Sequence, residues 1–284
     1  MTIKEIQQQY LAELEKIYSA GEAAVMTTMI FESIAKISTQ DLLLRPNVEI
    51  ENNTEINLIT ALNKLQQHEP IQYIIGKGWF YNVAFTVNEA VLIPRPETEE
   101  LVLEAINFLK HHKSKNVLDI GTGSGCIPIS IKKNITNANV TSLDVSNDAL
   151  KLAAKNASDN AVEINFLHFD FLEEKNYSTL PKFDVIISNP PYIPENEKNK
   201  LDKNVTMFEP HIALFVPQND PLLFYKKILI FAGNHLQKDG KIFLEIHEDF
   251  ASETANLFTE KNYHVVIKKD MQDKERMLII NQYL

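Results

Sequence analysis

Four residues of distinctive chemistry follow one of the strongly apolar runs of this sequence. The run Phe183–Ser188 leads directly into Asn189, Pro190, Pro191 and Tyr192. Two prolines immediately after a buried strand end its hydrogen-bond ladder and stiffen the backbone. The side-chain oxygen of Asn189 and the carbonyl oxygen of Pro190 can each accept one N–H from a planar amino group, and Tyr192 can press on its flat face. The tetrapeptide therefore predicts a site that holds an amide or aromatic amino nitrogen and favours positive charge on it.

A second chemically distinctive segment is a glycine-rich turn after another apolar run. Residues 117–125 read VLDIGTGSG, and alternating glycines let the backbone turn tightly and touch a ligand. The spacing matches neither the dinucleotide pattern Gly-x-Gly-x-x-Gly nor the Gly-Lys-Ser/Thr phosphate loop. It matches Asp-x-Gly-x-Gly-x-Gly, the form seen in S-adenosylmethionine binders, in which we expect Asp119 to hold the cofactor's ammonium group.

Acidic residues end the next two predicted strands and complete a candidate cofactor site. Asp144 is placed to accept hydrogen bonds from ribose hydroxyls, as acids do after the second strand of dinucleotide folds. Asp170 is placed to accept from an adenine amino group, and Phe171 to stack on the ring. The alternatives are a simple tight turn at the glycines and solvated acids at the strand ends.

Strands and helices alternate from residue 116 onward, which predicts a doubly wound α/β domain. The last two strands are too close together for a crossover helix, so we expect them to be antiparallel. The predicted fold is a Rossmann-like, S-adenosylmethionine-dependent methyltransferase domain with a seven-stranded, mostly parallel sheet and an antiparallel terminal hairpin. The predicted strands are 116–120, 140–145, 164–169, 183–188, 241–246, 264–268 and 277–280.

The first ~75 residues instead carry apolar side chains at helical spacing, which predicts three amphipathic helices. We expect the third to be capped by Asn53 and ended by Pro70. The aromatic and β-branched residues that follow predict two short strands around a turn near Asn88. The resulting domain prediction is a helical domain at 1–75, a β-hairpin linker at 76–95 and the methyltransferase domain at 96–284.

Composition narrows the function further. The chain has 284 residues and a net charge of −10, and residues 1–77 carry ten acidic and six basic side chains. Direct nucleic-acid binding is therefore not expected, because phosphate recognition favours basic surfaces. Cys126 is the single cysteine, and the N-terminus lacks a signal-peptide core, so we expect a cytoplasmic protein without a membrane span. The eight histidines are scattered, and no metal site is expected.

Several motifs together resemble the HemK/PrmC family, the N5-glutamine methyltransferases of peptide chain release factors. The resemblance spans the chain through PIQYIIG (70–76), VLIPRPETEELV (91–102), VLDIGTGSGCI (117–127), NPPY (189–192) and FEPHIAL (208–214). It implies that the helical domain grips a class I release factor and that the catalytic domain methylates the glutamine of its Gly-Gly-Gln loop.

The resemblance also implies roles for individual residues. Asn189, Pro190, Pro191 and Tyr192 would hold the glutamine amide, with Asn189 also touching the cofactor. Phe171 stands where the family often has tryptophan. The cofactor, S-adenosylmethionine, would be cradled by Gly121, Thr122, Gly123, Ser124 and Gly125, with Asp144 on the ribose and Phe171 by the adenine.

Some features of the sequence admit more than one interpretation. The segments 215–225 and 244–253 lack glycines expected in the family, and the polar run 195–204 is predicted to be a mobile loop or a substrate lid. Because adenine N6 is also a planar amino nitrogen, an adenine-N6 DNA or RNA methyltransferase is a rival, and such enzymes must extrude their target base. Two further rivals are a ribosomal-protein glutamine methyltransferase and a non-catalytic cofactor-binding protein. We expect a monomer.

Overall fold

The computed structural model describes residues 1–282. The chain divides into two compact units. The first combines Met1–Lys77 with Asp202–Phe208, and the second combines Gly78–Leu201 with Glu209–Leu284. The last two residues of the predicted 96–284 domain lie outside the described part.

Helices occur in both units. The α-helices are α1 (Ile3–Leu14), α2 (Ala20–Ile30), α3 (Thr39–Leu44), α4 (Asn52–Gln66), α5 (Ile71–Ile75), α6 (Pro96–His111), α7 (Cys126–Asn134), α8 (Asn147–Asp159), α9 (Lys203–Phe208), α10 (Leu223–His235) and α11 (Ala251–Thr259). A π-helical turn, Phe31–Ala35, continues α2.

The strands are β1 (Lys77–Phe80), β2 (Val83–Thr86), β3 (Asn116–Ile120), β4 (Asn139–Asp144), β5 (Asn165–His168), β6 (Phe183–Ser188), β7 (Ile193–Pro194), β8 (Phe215–Val216), β9 (Leu236–Glu245), β10 (Tyr263–Lys269) and β11 (Glu275–Gln282).

The N-terminal unit contains more helices than the three that we predicted. Its first 77 residues form α1 to α5, because capping boxes start new helices at Thr2, Ser19 and Ser38. In each box the hydroxyl accepts a backbone N–H that lacks a helical partner. The predicted Asn53 cap is wrong: α4 begins at Asn52, after Glu51. The predicted end at Pro70 is also wrong, since α4 ends at Gln66 and Pro70 precedes α5.

One apolar core stabilises this unit. Side chains from successive turns of α1 and α4 pack together with Phe31, and the ring of Tyr10 meets the ring of Phe31 edge-on. The hydroxyl of Tyr10, buried among these groups, donates to the carbonyl oxygen of Leu58. A buried tyrosine usually finds such a partner, because an unbonded hydroxyl in an apolar core is costly.

The hairpin of β1 and β2 turns earlier than the sequence suggested. Its two loop residues, Tyr81 and Asn82, both have positive φ angles, 49° and 59°, as a tight two-residue hairpin requires. The prediction that the hairpin turns near Asn88 is wrong, although a separate turn does begin there, with the N–H of Val91 donating to the carbonyl oxygen of Asn88. Asn88 lies beyond β2, where its side-chain oxygen accepts the backbone N–H of Ala90.

The second unit is built on a seven-stranded sheet in the order β10-β11-β9-β6-β3-β4-β5. The pairs β6–β9, β3–β6, β3–β4 and β4–β5 are parallel, whereas β11 pairs antiparallel with both β9 and β10. The predicted mostly parallel sheet with an antiparallel terminal hairpin is confirmed. The main boundary error is at β9, which begins at Leu236 rather than at residue 241.

Buried apolar side chains cover the central strands on both faces. All six residues of β6 are buried, which explains why its sequence lacks the polar alternation of a half-exposed strand. Among the described residues, no helix combines the length and the apolar composition needed to cross a membrane.

Gly240, in β9, lies too close to neighbouring backbone atoms to accept a side chain. A Cβ at this position would lie 2.9 Å from the backbone oxygen of Asp184 and 3.0 Å from that of Gln237. We expect Gly240→Ala to lower the free energy of unfolding in urea by ~1–3 kcal/mol, as overpacking does. Gly233→Ala is the control, because a Cβ there meets nothing within 4 Å, and it should add ~0.5–1 kcal/mol inside α10. Equal stability of the Gly240 variant and the wild type would contradict this packing.

Candidate active site

The two chemically distinctive segments leave the sheet side by side. In the parallel pair of β3 and β6, Ile120 lies opposite Ser188, and the Ser188 hydroxyl donates to the carbonyl oxygen of Ile120 at 2.7 Å. The next residues along each strand are Gly121 and Asn189. The glycine-rich turn and the Asn-Pro-Pro-Tyr segment therefore begin at the same edge, where open α/β sheets bind their ligands.

The glycine-rich turn has a backbone conformation that favours glycine. Gly121, Gly123 and Gly125 have φ angles of 79°, 51° and 81°, in the region that L-residues rarely adopt. A Cβ at Gly121 or Gly123 would meet nothing within 4 Å, which leaves room for a ligand against the backbone. A Cβ at Gly125 would lie 3.0 Å from Ile129 Cδ1, so this glycine serves helix packing instead.

Asp144 holds the turn in place. Its Oδ2 accepts the backbone N–H of Gly123 at 2.9 Å, and its Oδ1 accepts that of Ser146 at 2.8 Å. The carbonyl oxygen of Leu143 accepts the N–H groups of Gly121 and Thr122. Each carboxylate oxygen keeps a further lone pair, so Asp144 can bind a ligand hydroxyl while it supports the turn.

Asp119 lies behind the turn and not in its cavity. It is fully buried, and its Oδ2 accepts the hydroxyl of Ser142, which in turn bonds to Thr122. Among the described residues, no donor reaches its Oδ1 in hydrogen-bonding geometry. Burial raises the pKa of Asp119 to about 7, although the Ser142 and Thr122 hydroxyls oppose the rise. Because Asp119 is buried and does not line the cavity, its contact with a cofactor ammonium group stays a prediction.

One cavity of about 230 Å³ is lined by both the glycine-rich turn and the Asn-Pro-Pro-Tyr segment. Three predicted site residues, Asp119, Gly125 and Tyr192, are not part of its lining. The predicted residues that do line it are Gly121, Thr122, Gly123, Ser124, Asp144, Asp170, Phe171, Asn189, Pro190 and Pro191.

Asp170 and Phe171 occupy the far wall, but Phe171 is largely committed to the core. It is only 5% exposed, and its ring packs against Tyr177 and Phe231 with centroids 5.1 and 5.4 Å apart. Stacking of Phe171 on an adenine stays a prediction. The Oδ1 of Asp170 accepts the backbone N–H of Leu172 at 2.9 Å.

Asn189 is anchored by residues that the sequence did not single out. Its side-chain Nδ2 donates to the hydroxyl oxygen of Thr98 at 3.1 Å, and the Thr98 hydroxyl donates to Oε2 of Glu245 at 2.5 Å. Thr98 and Glu245 are both buried, and burial raises the pKa of Glu245. Thr98 lies within VLIPRPETEELV, a segment that carried the family resemblance without a role for this threonine.

Tyr192 belongs to the same hydrogen-bonded group. Its hydroxyl donates to Oε1 of Glu245 at 3.2 Å, and its ring meets the ring of His247 edge-on, 6.0 Å away. Burial and the adjacent charge of Glu245 raise the pKa of Tyr192. Because Tyr192 does not line the cavity, the prediction that it presses on the target group corresponds to no cavity contact in this structure.

Arg95 and Glu209 join two further motifs, PRPETEE and FEPHIAL. The guanidinium of Arg95 donates to Oε1 of Glu209 at 2.5 Å, while Oε2 accepts the backbone N–H of Ile93 at 3.2 Å. Glu209 is buried and Arg95 lines the cavity. The residue pair lies 114 positions apart in the chain, so local sequence patterns could not reveal it.

Asn156 is another positioning residue that sequence reasoning missed. Its Oδ1 accepts the N–H of Thr86, and its Nδ2 donates to the carbonyl oxygens of Thr86 and Ser124, all at 2.8–2.9 Å. It thereby ties the β1–β2 hairpin to the glycine-rich turn. The available signal was a polar residue on the apolar face of α8, beside Leu152 and Ala153.

Cys126 lines the cavity, but we do not expect it to act as a nucleophile. It is half-buried beside the turn, and burial raises the pKa of its thiol to about 12. Since the thiolate is the nucleophilic form, the group is unreactive near neutral pH.

The run 195–204 is more regular than the predicted mobile loop. Glu195–Lys200 forms a 3-10 helix, and α9 begins at Lys203. Glu197 lies with His247 and Asp249, and their potential ligand atoms are within 4.8 Å of one another. The ring Nδ1 of His247 already accepts the backbone N–H of Asp249, and its Nε2 lies 3.6 Å from Glu197. The expectation that the chain has no metal site stays a prediction.

Comparisons with known proteins show which families this chain is similar to. Residues 100–209 match the methyltransferase small domain, and residues 5–76 match the PrmC N-terminal domain. A solved S-adenosylmethionine-dependent methyltransferase from Agrobacterium tumefaciens superposes with a TM-score of 0.50 at 15% identity, covering 72% of this chain and 69% of that one. This structural likeness supports the fold alone.

Curated relatives are much more similar in sequence. A release factor glutamine methyltransferase from Flavobacterium psychrophilum is 41% identical over 99% of both chains. A release factor glutamine methyltransferase from Lactococcus lactis is 43% identical over 80% of this chain and 83% of its own. Similarity at this level along nearly the whole sequence shows that the chain belongs to the release factor glutamine methyltransferase family.

Proposed function

We propose that this chain transfers a methyl group from S-adenosylmethionine to the side-chain amide nitrogen of the glutamine in the Gly-Gly-Gln loop of class I peptide chain release factors. The observation that carries the proposal is one cavity lined both by the glycine-rich turn and by Asn189, Pro190 and Pro191. The identity of the curated relatives supports glutamine as the acceptor.

The residues present fit a bound S-adenosylmethionine. The open backbone at Gly121 and Gly123 is a cradle that side chains would fill. Asp144 is held rigidly and retains acceptor capacity for the ribose hydroxyls. The free Oδ1 of Asp119, one layer deeper, adds negative charge behind the turn when the carboxyl is ionised, which suits a cationic ligand.

The protein's contribution to the reaction is to position a weak nucleophile. An amide nitrogen has a delocalised lone pair, so its attack must be aligned and its developing positive charge stabilised. The Asn189 Oδ1 and the Pro190 carbonyl oxygen would each accept one of the two amide N–H groups. Pro190 is buried and Pro191 follows it, so the carbonyl is held without rearrangement.

Bound S-adenosylmethionine supplies an electrophilic methyl group on a sulfonium sulfur. The acceptors at Asn189 and Pro190 would bind the two N–H groups more strongly as positive charge develops on the amide nitrogen. Methyl transfer would leave neutral S-adenosylhomocysteine and a positively charged amide nitrogen. That nitrogen would then lose one N–H proton to water, so no base is needed before the transfer.

The helical unit would contact the release factor. Its match to the PrmC N-terminal domain and its acidic balance favour a protein partner over nucleic acid. An adenine-N6 methyltransferase would use the same Asn-Pro-Pro-Tyr chemistry, but the named relatives are glutamine methyltransferases. We further propose that the chain acts as a monomer.

The direct test is transfer of radiolabelled methyl from S-adenosylmethionine to purified release factor. The substrates are the release factor with its Gly-Gly-Gln glutamine intact, the same factor with this glutamine changed to alanine, and duplex DNA. We expect label on the intact factor alone. Label on DNA would establish the adenine alternative, and no label on any substrate would overturn the proposal.

Asn189→Ala should lower kcat by about 10²-fold or more, comparable to removal of one preorganised polar contact from an active site. Isothermal calorimetry should show that the variant still binds S-adenosylmethionine, because Asp144 and the glycine-rich turn are intact. Nearly normal turnover would refute the role assigned to the Asn189 amide.

Asp144→Ala should act mainly on the cofactor. The substitution removes both the proposed ribose acceptor and the bond that holds Gly123, so the dissociation constant for S-adenosylmethionine should rise by at least about tenfold, the effect of losing one or two charge-assisted bonds. Calorimetry measures this directly. An unchanged dissociation constant would remove Asp144 from the cofactor site.

A further inference from the structure

A chain of three hydrogen bonds runs from the cavity into the protein interior. The Asn189 Nδ2 donates to Thr98 Oγ1 at 3.1 Å, and the Thr98 hydroxyl donates to Glu245 Oε2 at 2.5 Å. The hydroxyl of Tyr192 donates to the second carboxylate oxygen, Oε1, at 3.2 Å. Asn189 and Thr98 line the cavity, whereas Glu245 does not.

The number of protons on each group allows these hydrogen bonds to run in only one direction. A carboxylate has only acceptor sites, and a threonine hydroxyl has only one proton. Because Glu245 takes the proton of Thr98, the oxygen of Thr98 faces Asn189 as an acceptor. The amide of Asn189 must then turn its NH₂ group toward Thr98, and its Oδ1 is left for the cavity.

The two hydroxyl donors at Glu245 match the ionised form that this direction requires, although burial on balance raises the pKa of the carboxyl. Burial and the negative charge of Glu97 raise the pKa of Glu245. The Thr98 and Tyr192 hydroxyls and the positive charge of Arg276 oppose that rise. Both carboxylate oxygens thus have a hydroxyl donor, as a buried carboxylate needs.

We propose that Thr98 and Glu245 are positioning residues that hold the Asn189 amide in the one orientation that accepts an N–H from the substrate. This inference rests on the proposed function. The reversed amide would present an NH₂ group, which would repel the glutamine –NH₂ and attract an oxygen acceptor instead. The pair therefore sets the specificity of the site for an amino group over a carboxylate or carbonyl oxygen.

The first test is the substitution Thr98→Val, which keeps the shape of the side chain and removes the acceptor. The Asn189 NH₂ group would face an apolar wall, and an unsatisfied buried donor is costly enough to reverse most of the amide population. We expect kcat for methyl transfer to intact release factor to fall by about tenfold. The dissociation constant for S-adenosylmethionine should stay at the wild-type value.

Two matched variants separate positioning from folding. Thr98→Ser keeps the hydroxyl and should restore kcat to near the wild-type value. Thr254→Val makes the same substitution at a fully buried threonine of α11, whose hydroxyl donates to the carbonyl oxygen of Phe250. Because Thr254 is not part of the cavity lining, this variant should retain wild-type kcat.

Glu245→Gln tests the same series of hydrogen bonds from its buried end. This variant keeps the proposal testable if Thr98→Val does not fold. The new amide can donate to Thr98, whose proton would then turn toward Asn189 and reverse its amide. We expect a loss in kcat similar to that of Thr98→Val. The double variant should lose no more than either single variant, because residues that act through one group are not additive.

The outcomes are distinct. Wild-type kcat in Thr98→Val or in Glu245→Gln, or a Thr98→Ser variant as slow as Thr98→Val, would overturn the positioning role. Fully additive losses in the double variant would do so as well. Failure of the wild-type chain to methylate any release factor would instead overturn the proposed function.

Discussion

The parallel pairing of β3 with β6 is the interaction on which the candidate site depends. It sets Ile120 opposite Ser188, and the Ser188 hydroxyl bonds across to the carbonyl oxygen of Ile120. Parallel strands end at the same edge of a sheet, so the glycine-rich turn and the Asn-Pro-Pro-Tyr segment emerge together. A one-residue slip would turn every side chain of β6 to the opposite face. Such a slip is opposed because the buried Ser188 hydroxyl and the buried Asp184 carboxylate would lose their hydrogen-bond partners, Ile120 and Asn116.

Around this edge, polar residues that are distant in sequence connect the loops to one another through hydrogen bonds and an ion pair. Arg95 and Glu209 connect the segment before α6 to the segment before β8, and Asn156 connects the β1–β2 hairpin to the glycine-rich turn. Thr98, in the first turn of α6, reaches both Asn189 and Glu245. These buried polar groups have partners with good geometry, which is the condition under which a polar network makes a site rigid rather than unstable. The cavity wall is therefore preorganised by the residues packed behind it.

The sequence predicted those features that local physics dictates. Apolar runs located the strands of the main sheet, and glycine spacing located a turn with positive φ angles at Gly121, Gly123 and Gly125. It failed where two local choices compete: Asn82 and Asn88 are both good turn residues, and only Asn82 adopts positive φ in the hairpin. It also missed contacts such as Thr98 with Glu245, which are 147 positions apart. Nothing in a short window distinguishes a threonine that starts a helix from one that also orients an active-site amide.

The segment after β9 shows why a departure from a family pattern can leave the site intact. The family resemblance led us to expect a glycine after this strand, and the segment 244–253 has none. The backbone at His247 has φ −74° and ψ 130°, a conformation open to any L-residue, so glycine is not required there. The residue that ends the strand is Glu245, whose carboxylate receives Thr98 and Tyr192. The physical constraint therefore falls on the acid that closes β9, and the next positions are free to take a larger side chain such as His247, which packs edge-on against Tyr192.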